Sequence, residues 1–134
     1  MKHVLALAAL ALCSALPSAH AAEPAYPSKP VRIIVGYAPG GGSDIMGRFI
    51  AQELTKSLGQ QMIVENRPGA AQNVAAEFVA RSPADGYTLF MSSAAHGINI
   101  SLYPKLNYHP IKDFTPIVMF AISPTCCWCT RRCR

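Results

Sequence analysis

Val31-Arg32-Ile33-Ile34-Val35-Gly36-Tyr37-Ala38-Pro39-Gly40-Gly41-Gly42-Ser43-Asp44 is the stretch that decides the fold. Its first five residues are short, apolar and β-branched, which predicts a strand. Pro39 to Gly42 stop that strand. Ser43 or Asp44 then caps a helix in which Met46, Ile50, Leu54 and Leu58 recur every four positions, with Ile45 and Phe49 widening the apolar stripe. Gly59 supplies the C-terminal stop.

Downstream the same alternation repeats. Gln61-Met62-Ile63-Val64-Glu65 predicts a second strand and Asn66-Arg67-Pro68-Gly69 a turn. A shorter helix is expected from Asn73 to Ala80, with Val74, Ala75, Phe78 and Val79 inward. Ser82-Pro83 ends it, Asp85-Gly86 turns the chain, and Tyr87 to Met91 form a third strand. That strand is too uniformly apolar to have one wet face, so a central place in a parallel sheet is expected. Strand–helix–strand–helix–strand is the pattern of a doubly wound α/β sheet with right-handed crossovers. The chain's 134 residues allow one small domain at most. Its 51% hydrophobic content excludes a disordered chain, and the aperiodic placing of Pro and Gly excludes collagen.

The net charge of +5 is not a functional signal. Lys2, Arg131, Arg132 and Arg134 supply the surplus at the two ends, while 8 basic and 7 acidic side chains lie between Ala22 and Pro124. A nucleic-acid partner would need basic residues clustered on one face, so none is expected. Residues 1–21 have the three parts of an export signal: Lys2, an apolar run from Val4 to Leu16, and Ala19-His20-Ala21 before a cleavage site at Ala22. The run is too short for a membrane span, and Leu12 ahead of Cys13 does not suit lipid attachment. Cys126, Cys127, Cys129 and Cys133 crowd into 124–134 with no room for the loop that separates zinc-ligand pairs. That tail is expected to be an out-of-frame addition rather than a metal or disulfide site, and no cofactor is expected.

In open α/β sheets ligands sit beyond the carboxyl ends of strands. Gly40, Gly41 and Gly42 let a ligand approach the backbone, and the helix behind them presents free N–H groups and partial positive charge, a combination suited to a carboxylate or phosphate. The loop lacks the Lys of a phosphate-binding P-loop, and it fails G-x-G-x-x-G and G-x-S-x-G because Ile45 stands where the last glycine should be. The alternative is a turn in which Ser43 merely caps. Asp44 suits the helix dipole but would repel an anion; it caps from the side or receives a ligand's ammonium or hydroxyl group. A second loop, Ser92 to Asn99, follows the third strand and offers Ser92, Ser93, His96 and Asn99, with ordinary surface as the alternative.

Four ordered motifs carry a family resemblance: Tyr26-Pro27-Ser28-Lys29-Pro30-Val31-Arg32-Ile33-Ile34-Val35, Pro39 to Asp44, Val64-Glu65-Asn66-Arg67-Pro68-Gly69-Ala70, and Pro83-Ala84-Asp85-Gly86-Tyr87-Thr88-Leu89. Together with Ser93 to Tyr103 and Lys112 to Ile117, they closely resemble the Bug family, the TctC-like periplasmic solute-binding proteins of tripartite tricarboxylate transporters. The resemblance implies an α/β chain forming part of the first lobe of a two-lobed type II periplasmic-binding-protein fold, with a mostly parallel sheet flanked by helices. It implies capture of a small carboxylate (citrate, a dicarboxylate or an acidic amino acid) for membrane transporter subunits, a periplasmic location, a monomer, and no enzymatic activity. By position it implicates Gly40, Gly41, Gly42, Ser43, Asp44, Ser93 and His96 in ligand binding.

On that reading 1–21 is the signal peptide, 22–123 an incomplete first lobe, and 124–134 a foreign tail. Phe114 to Ile122 resembles the start of the crossover into a second lobe. A cleft ligand is held by both lobes, so the expectation is a marginal or unfolded fragment with little affinity. Two other classes remain: a small secreted α/β enzyme on an anionic substrate using Ser43, Ser93 or His96, and a metal or redox protein using the tail thiols.

Overall fold

A computed structural model describes residues 25–119. The leader, the cysteine-rich tail and the end of the Phe114–Ile122 run lie outside these residues. Strands β1 (Val31–Val35), β2 (Met62–Asn66) and β3 (Thr88–Met91) alternate with helices α1 (Gly42–Leu58), α2 (Asn73–Ala80) and α3 (Ala95–Leu102). The strands form one parallel sheet in the order β2-β1-β3. The doubly wound expectation is met.

The order corrects one expectation. β1 is the central strand of the described sheet, and β3 flanks it. Val31, Ile34 and Val35 are fully buried, each contributing about 1.5–3 kcal/mol of apolar burial. Thr88, Leu89 and Phe90 are only half-buried, and among the described residues their strand pairs on one side alone.

The chain moves from β1 outward to β2, then back across β1 to β3. With right-handed crossovers, that reversal puts α1 and α2 on opposite faces. On one face, Val31, Ile33, Val35, Met62 and Met91 pack with Ala51 of α1, and Met46 and Leu54 lie against them. On the other face, Arg32 alternates out of that core and its guanidinium lies 5.2 Å from the ring centroid of Phe78 on α2.

α1 turns its small residues to the sheet. A Cβ on Gly47 would stand 3.1 Å from Met91 Sδ and 3.3 Å from Val35 Cγ2, closer than ordinary van der Waals contact, so glycine lets the helix sit close to the sheet. Ile45 and Phe49, expected to widen the inward stripe, are each 60% exposed. They lie on the far side of the helix from Gly47, where the 3.6-residue period puts them. In α2, Ala76 is buried and Val74 is exposed, the reverse of the expectation for Val74. Gly59 ends α1 as expected, with φ +69° and its N–H bonded to the Thr55 carbonyl at 3.1 Å.

The far end of the sheet is closed by the segment before β1. Tyr26 donates its hydroxyl to the Gly86 carbonyl at 2.7 Å, the Ser28 N–H donates to Tyr87 Oη at 3.0 Å, and Lys29 Nζ pairs with Asp85 at 3.3 Å. Among the described residues no helix is long and apolar enough to cross a membrane.

Candidate functional site

Because the three strands are parallel, their carboxyl ends share one edge. The order β2-β1-β3 places the topological switch between β1 and β3, so the loops that follow those two strands flank the crevice where ligands enter such sheets. Both sequence-derived candidate loops therefore meet. Tyr37, after β1, and Ser93, after β3, are joined hydroxyl to hydroxyl at 2.9 Å.

In the glycine loop, Gly40 takes φ +86°, a left-handed conformation that L side chains rarely adopt. Gly41 is the N-cap residue just before α1, and it has no side chain to cap the helix. The cap expected from Ser43 or Asp44 is thus not formed in that way, because the helix opens two residues earlier at Gly42. The first helical bond runs from the Ile45 N–H to the Gly41 carbonyl at 3.0 Å. The N–H groups of Gly42, Ser43 and Asp44 precede it and belong to the unpaired first turn of a 17-residue helix. A Cβ on Gly40 or Gly42 would meet nothing within 4 Å. Packing does not explain the glycine at Gly42.

Asp44 is buried, with 3% of its surface exposed. Its carboxylate accepts from Arg48 Nε at 3.0 Å, from the Gly40 N–H at 2.9 Å and from Asn66 Nδ2 at 2.9 Å. Chiefly the Arg48 guanidinium, then the Gly40 and Asn66 donors, hold its pKa down at about 2. This arrangement answers the conflict raised by the sequence. Asp44 occupies the third helical position and reaches back outside the helix, a short-armed form of the capping box. Its charge is balanced by Arg48 and directed towards the end of β2, so the helix terminus is not left facing a free carboxylate.

Ser93 is half-buried and caps locally, accepting the Ala95 N–H at 3.3 Å on its hydroxyl and the His96 N–H at 2.9 Å on its carbonyl. The stretch after it is helical from Ala95, where a loop to Asn99 was expected. That helix turns the His96 ring away from the glycine loop. The ring stacks on Tyr108 with centroids 5.8 Å apart and meets Phe90 and Phe114 edge-on at 5.4 and 5.0 Å. Its Nε2 lies 3.0 Å from the Pro110 carbonyl; a carbonyl only accepts, so Nε2 carries the proton. His96 packs a connection, and its ring bonds a carbonyl rather than a serine hydroxyl.

The structure adds residues that the sequence reading passed over. Gln72 is fully buried, and a Cβ on Gly36 would stand 2.2 Å from the Gln72 Cβ, so the residue after β1 must be glycine. Ala70, Ala71 and Gln72 all take positive φ, at an expected strain of about 1–3 kcal/mol each. Asn99 Nδ2 clamps this turn by donating to the Ala71 carbonyl and to Asn73 Oδ1, both at 2.7 Å, and the Tyr108 hydroxyl donates to the same Asn73 oxygen at 2.8 Å. Burial pushes the Tyr108 hydroxyl pKa up. Asn66 and Tyr37 complete the set; their signal was position, each within two residues of a strand's carboxyl end. Among the described residues no group of three metal-ligating side chains occurs.

Residues 46–130 match the family described as the tripartite tricarboxylate transporter family receptor, TctC. Among curated proteins, the chain is 36% identical to BugT of Bordetella pertussis over 126 residues, covering 92% of this chain and 39% of BugT. It is 34% identical over 124 residues to a UPF0065 protein of Pseudomonas sp. strain P51, covering 92% of this chain and 37% of that protein. The chain thus spans well under half the length of these relatives. Among solved structures, the periplasmic binding protein BugD superposes with a TM-score of 0.66 at 36% identity, over 69% of this chain and 31% of BugD. MatC from Rhodopseudomonas palustris, solved with bound malate, superposes with a TM-score of 0.61 at 41% identity, over 68% of this chain and 31% of MatC.

Proposed function

We propose, for a chain that belongs to the tripartite tricarboxylate transporter receptor family, that residues 22–123 form the first-lobe half of a cleft that captures a small carboxylate. The family and its solved neighbours are solute-binding proteins rather than enzymes. The observation that carries the reading is the open backbone at Gly42, beside the Tyr37–Ser93 bond at the switch point. Unpaired N–H groups at the start of α1 offer an anion hydrogen bonds and the positive end of the helix dipole, and Asp44 is neutralised by Arg48. Gly40, Gly41, Gly42 and Ser43 supply backbone, Ser93 supplies a hydroxyl, and Asp44 and His96 support the loops from behind. The ligand is a di- or tricarboxylate or an acidic amino acid, in keeping with the malate bound to MatC.

On the strength of the family match, the same reading extends to delivery to the membrane subunits of a tripartite tricarboxylate system by a monomer in the periplasm. Residues 1–21 act as the export signal on this reading. A single lobe offers one wall of a cleft, so affinity near the millimolar range, about −4 kcal/mol, is expected. The test is an amide-resolved titration of the chain with malate and with its neutral diamide. Shifts centred on Gly41 to Ser43 and on Ser93 with malate alone support the reading. Equal shifts with both compounds, or shifts centred elsewhere, sink it.

A further inference from the structure

Asn66 closes β2, and its side chain meets three groups of fixed polarity. Its Nδ2 donates to Asp44 Oδ1 at 2.9 Å and to the Tyr37 carbonyl at 3.0 Å, while its Oδ1 accepts from Arg48 Nη2 at 3.1 Å. Two acceptors and one donor therefore face this position. A primary amide of this length supplies the complementary two donors and one acceptor; a carboxylate supplies only acceptors, and a hydroxyl only one donor.

We propose that Asn66 is the positioning residue of the carboxylate loop. It fixes Asp44 in the orientation that captures the Gly40 N–H, and through Asp44 and Tyr37 it sets where the N–H groups of Gly42 and Ser43 stand relative to Ser93. It does so without touching ligand, because its polar atoms are committed to protein. The ligand-binding part rests on the function proposed above; the loop-ordering part does not.

The charged groups facing the amide are Asp44 and Arg48, both from α1. The loop after β1 contributes only the Tyr37 carbonyl, and the neighbouring Glu65 pairs with both Arg67 and Arg32. Asn66→Asp therefore sets a second carboxylate against Asp44. Two carboxylates so placed share one proton at a raised apparent pKa, and the shared proton restores a donor across the gap.

The experiment is amide hydrogen exchange and malate titration on the full chain, wild type and Asn66→Asp, at about pH 7 and about pH 4. Expected for the variant at the higher pH is a fall of about tenfold in the protection factor of Gly40, with Ile34 in β1 unchanged, and recovery at the lower pH. Wild type shows no such reversal, and at each pH the ratio of variant to wild-type malate affinity follows the same ratio for Gly40 protection, a comparison in which the protonation of malate itself cancels. Reversal of Gly40 protection without malate binding in either protein supports loop positioning and defeats the carboxylate function. Gly40 protection equal in the two proteins at both pH values overturns the proposal. Loss of Ile34 protection together with Gly40 also overturns it, since Asn66 would then hold the whole sheet. Asn66→Ser, with one donor and no carboxylate, is expected to lower Gly40 protection at both pH values alike; a pH reversal there would refute the shared-proton account.

Discussion

The hydroxyl of Tyr37 lies 2.9 Å from the hydroxyl of Ser93, and this single bond joins the loop after the central strand to the loop after its neighbour. The two residues are 56 positions apart, yet both stand just beyond the carboxyl ends of paired strands. Tyr37→Phe keeps the ring and removes the bond, so stability should fall by about 1 kcal/mol. If the bond orients Ser93, the malate response at Ser93 should weaken while that at Gly42 persists. Equal weakening at both would show a general loosening instead.

Two glycines should respond in opposite ways to alanine. At Gly42 an added Cβ meets nothing within 4 Å, and a helical Gly→Ala change should stabilise by up to about 1 kcal/mol. The same methyl stands where ligand would reach the backbone, so carboxylate affinity should fall as the melting temperature rises. At Gly36 the added Cβ would overlap the Gln72 side chain at 2.2 Å and force it from a fully buried site. Destabilisation there should reach about 3 kcal/mol or more, read by chemical denaturation.

Asp44 makes stability depend on acid. Its folded pKa is about 2, below the unfolded value of about 3.9, so the contribution is complete above the unfolded value and is lost as pH falls through the folded one. Melting temperature should decline between about pH 4 and pH 2 on this account. Asp44→Asn should lower stability at neutral pH and flatten that decline. A decline of unchanged steepness in the variant would assign it to Glu65 and Asp85, whose pKa values are also lowered by their partners.

His96→Ala separates packing from contact with ligand. The ring fills a cluster with Phe90, Tyr108 and Phe114 and bonds Pro110, so its loss should cost about 2 kcal/mol, or roughly 10 °C in melting temperature. The malate response at Gly42 should survive. A variant that melts like wild type but no longer responds to malate would put the ring in the binding site after all.

The sequence made much of this architecture legible because local signals agreed. β1 and α2 stand where residue type and period put them, and Gly59 ends α1 in the left-handed turn expected of it. β2 is displaced by one residue, since Asn66 reads as a turn residue but pairs with Val35 in the sheet. α3 escaped because Ala95 to Leu102 has a weak apolar stripe and a central glycine; its place is set by Asn99 gripping Ala71 and by the His96 ring. Motif spacing located the glycine loop and Ser93, but it could not tell a ligand group from a brace. Tyr26 to Lys29 and Asp85 to Tyr87, both within the family-like motifs, turn out to bind each other at the opposite end of the sheet.

By itself, the sequence determined the class of fold, the strand that leads into the glycine loop, and the glycine turn that ends α1. These follow from periodicity and from the freedom of glycine, which are properties of a few neighbouring residues. Only the tertiary structure decided that β1 is central, that α1 turns Gly47 rather than Phe49 to the sheet, and that Asp44 and His96 face inward to protein. Strand order, helix rotation and the partner of a buried polar group depend on contacts between residues far apart in the chain, and no local pattern encodes which distant donor will meet a given acceptor.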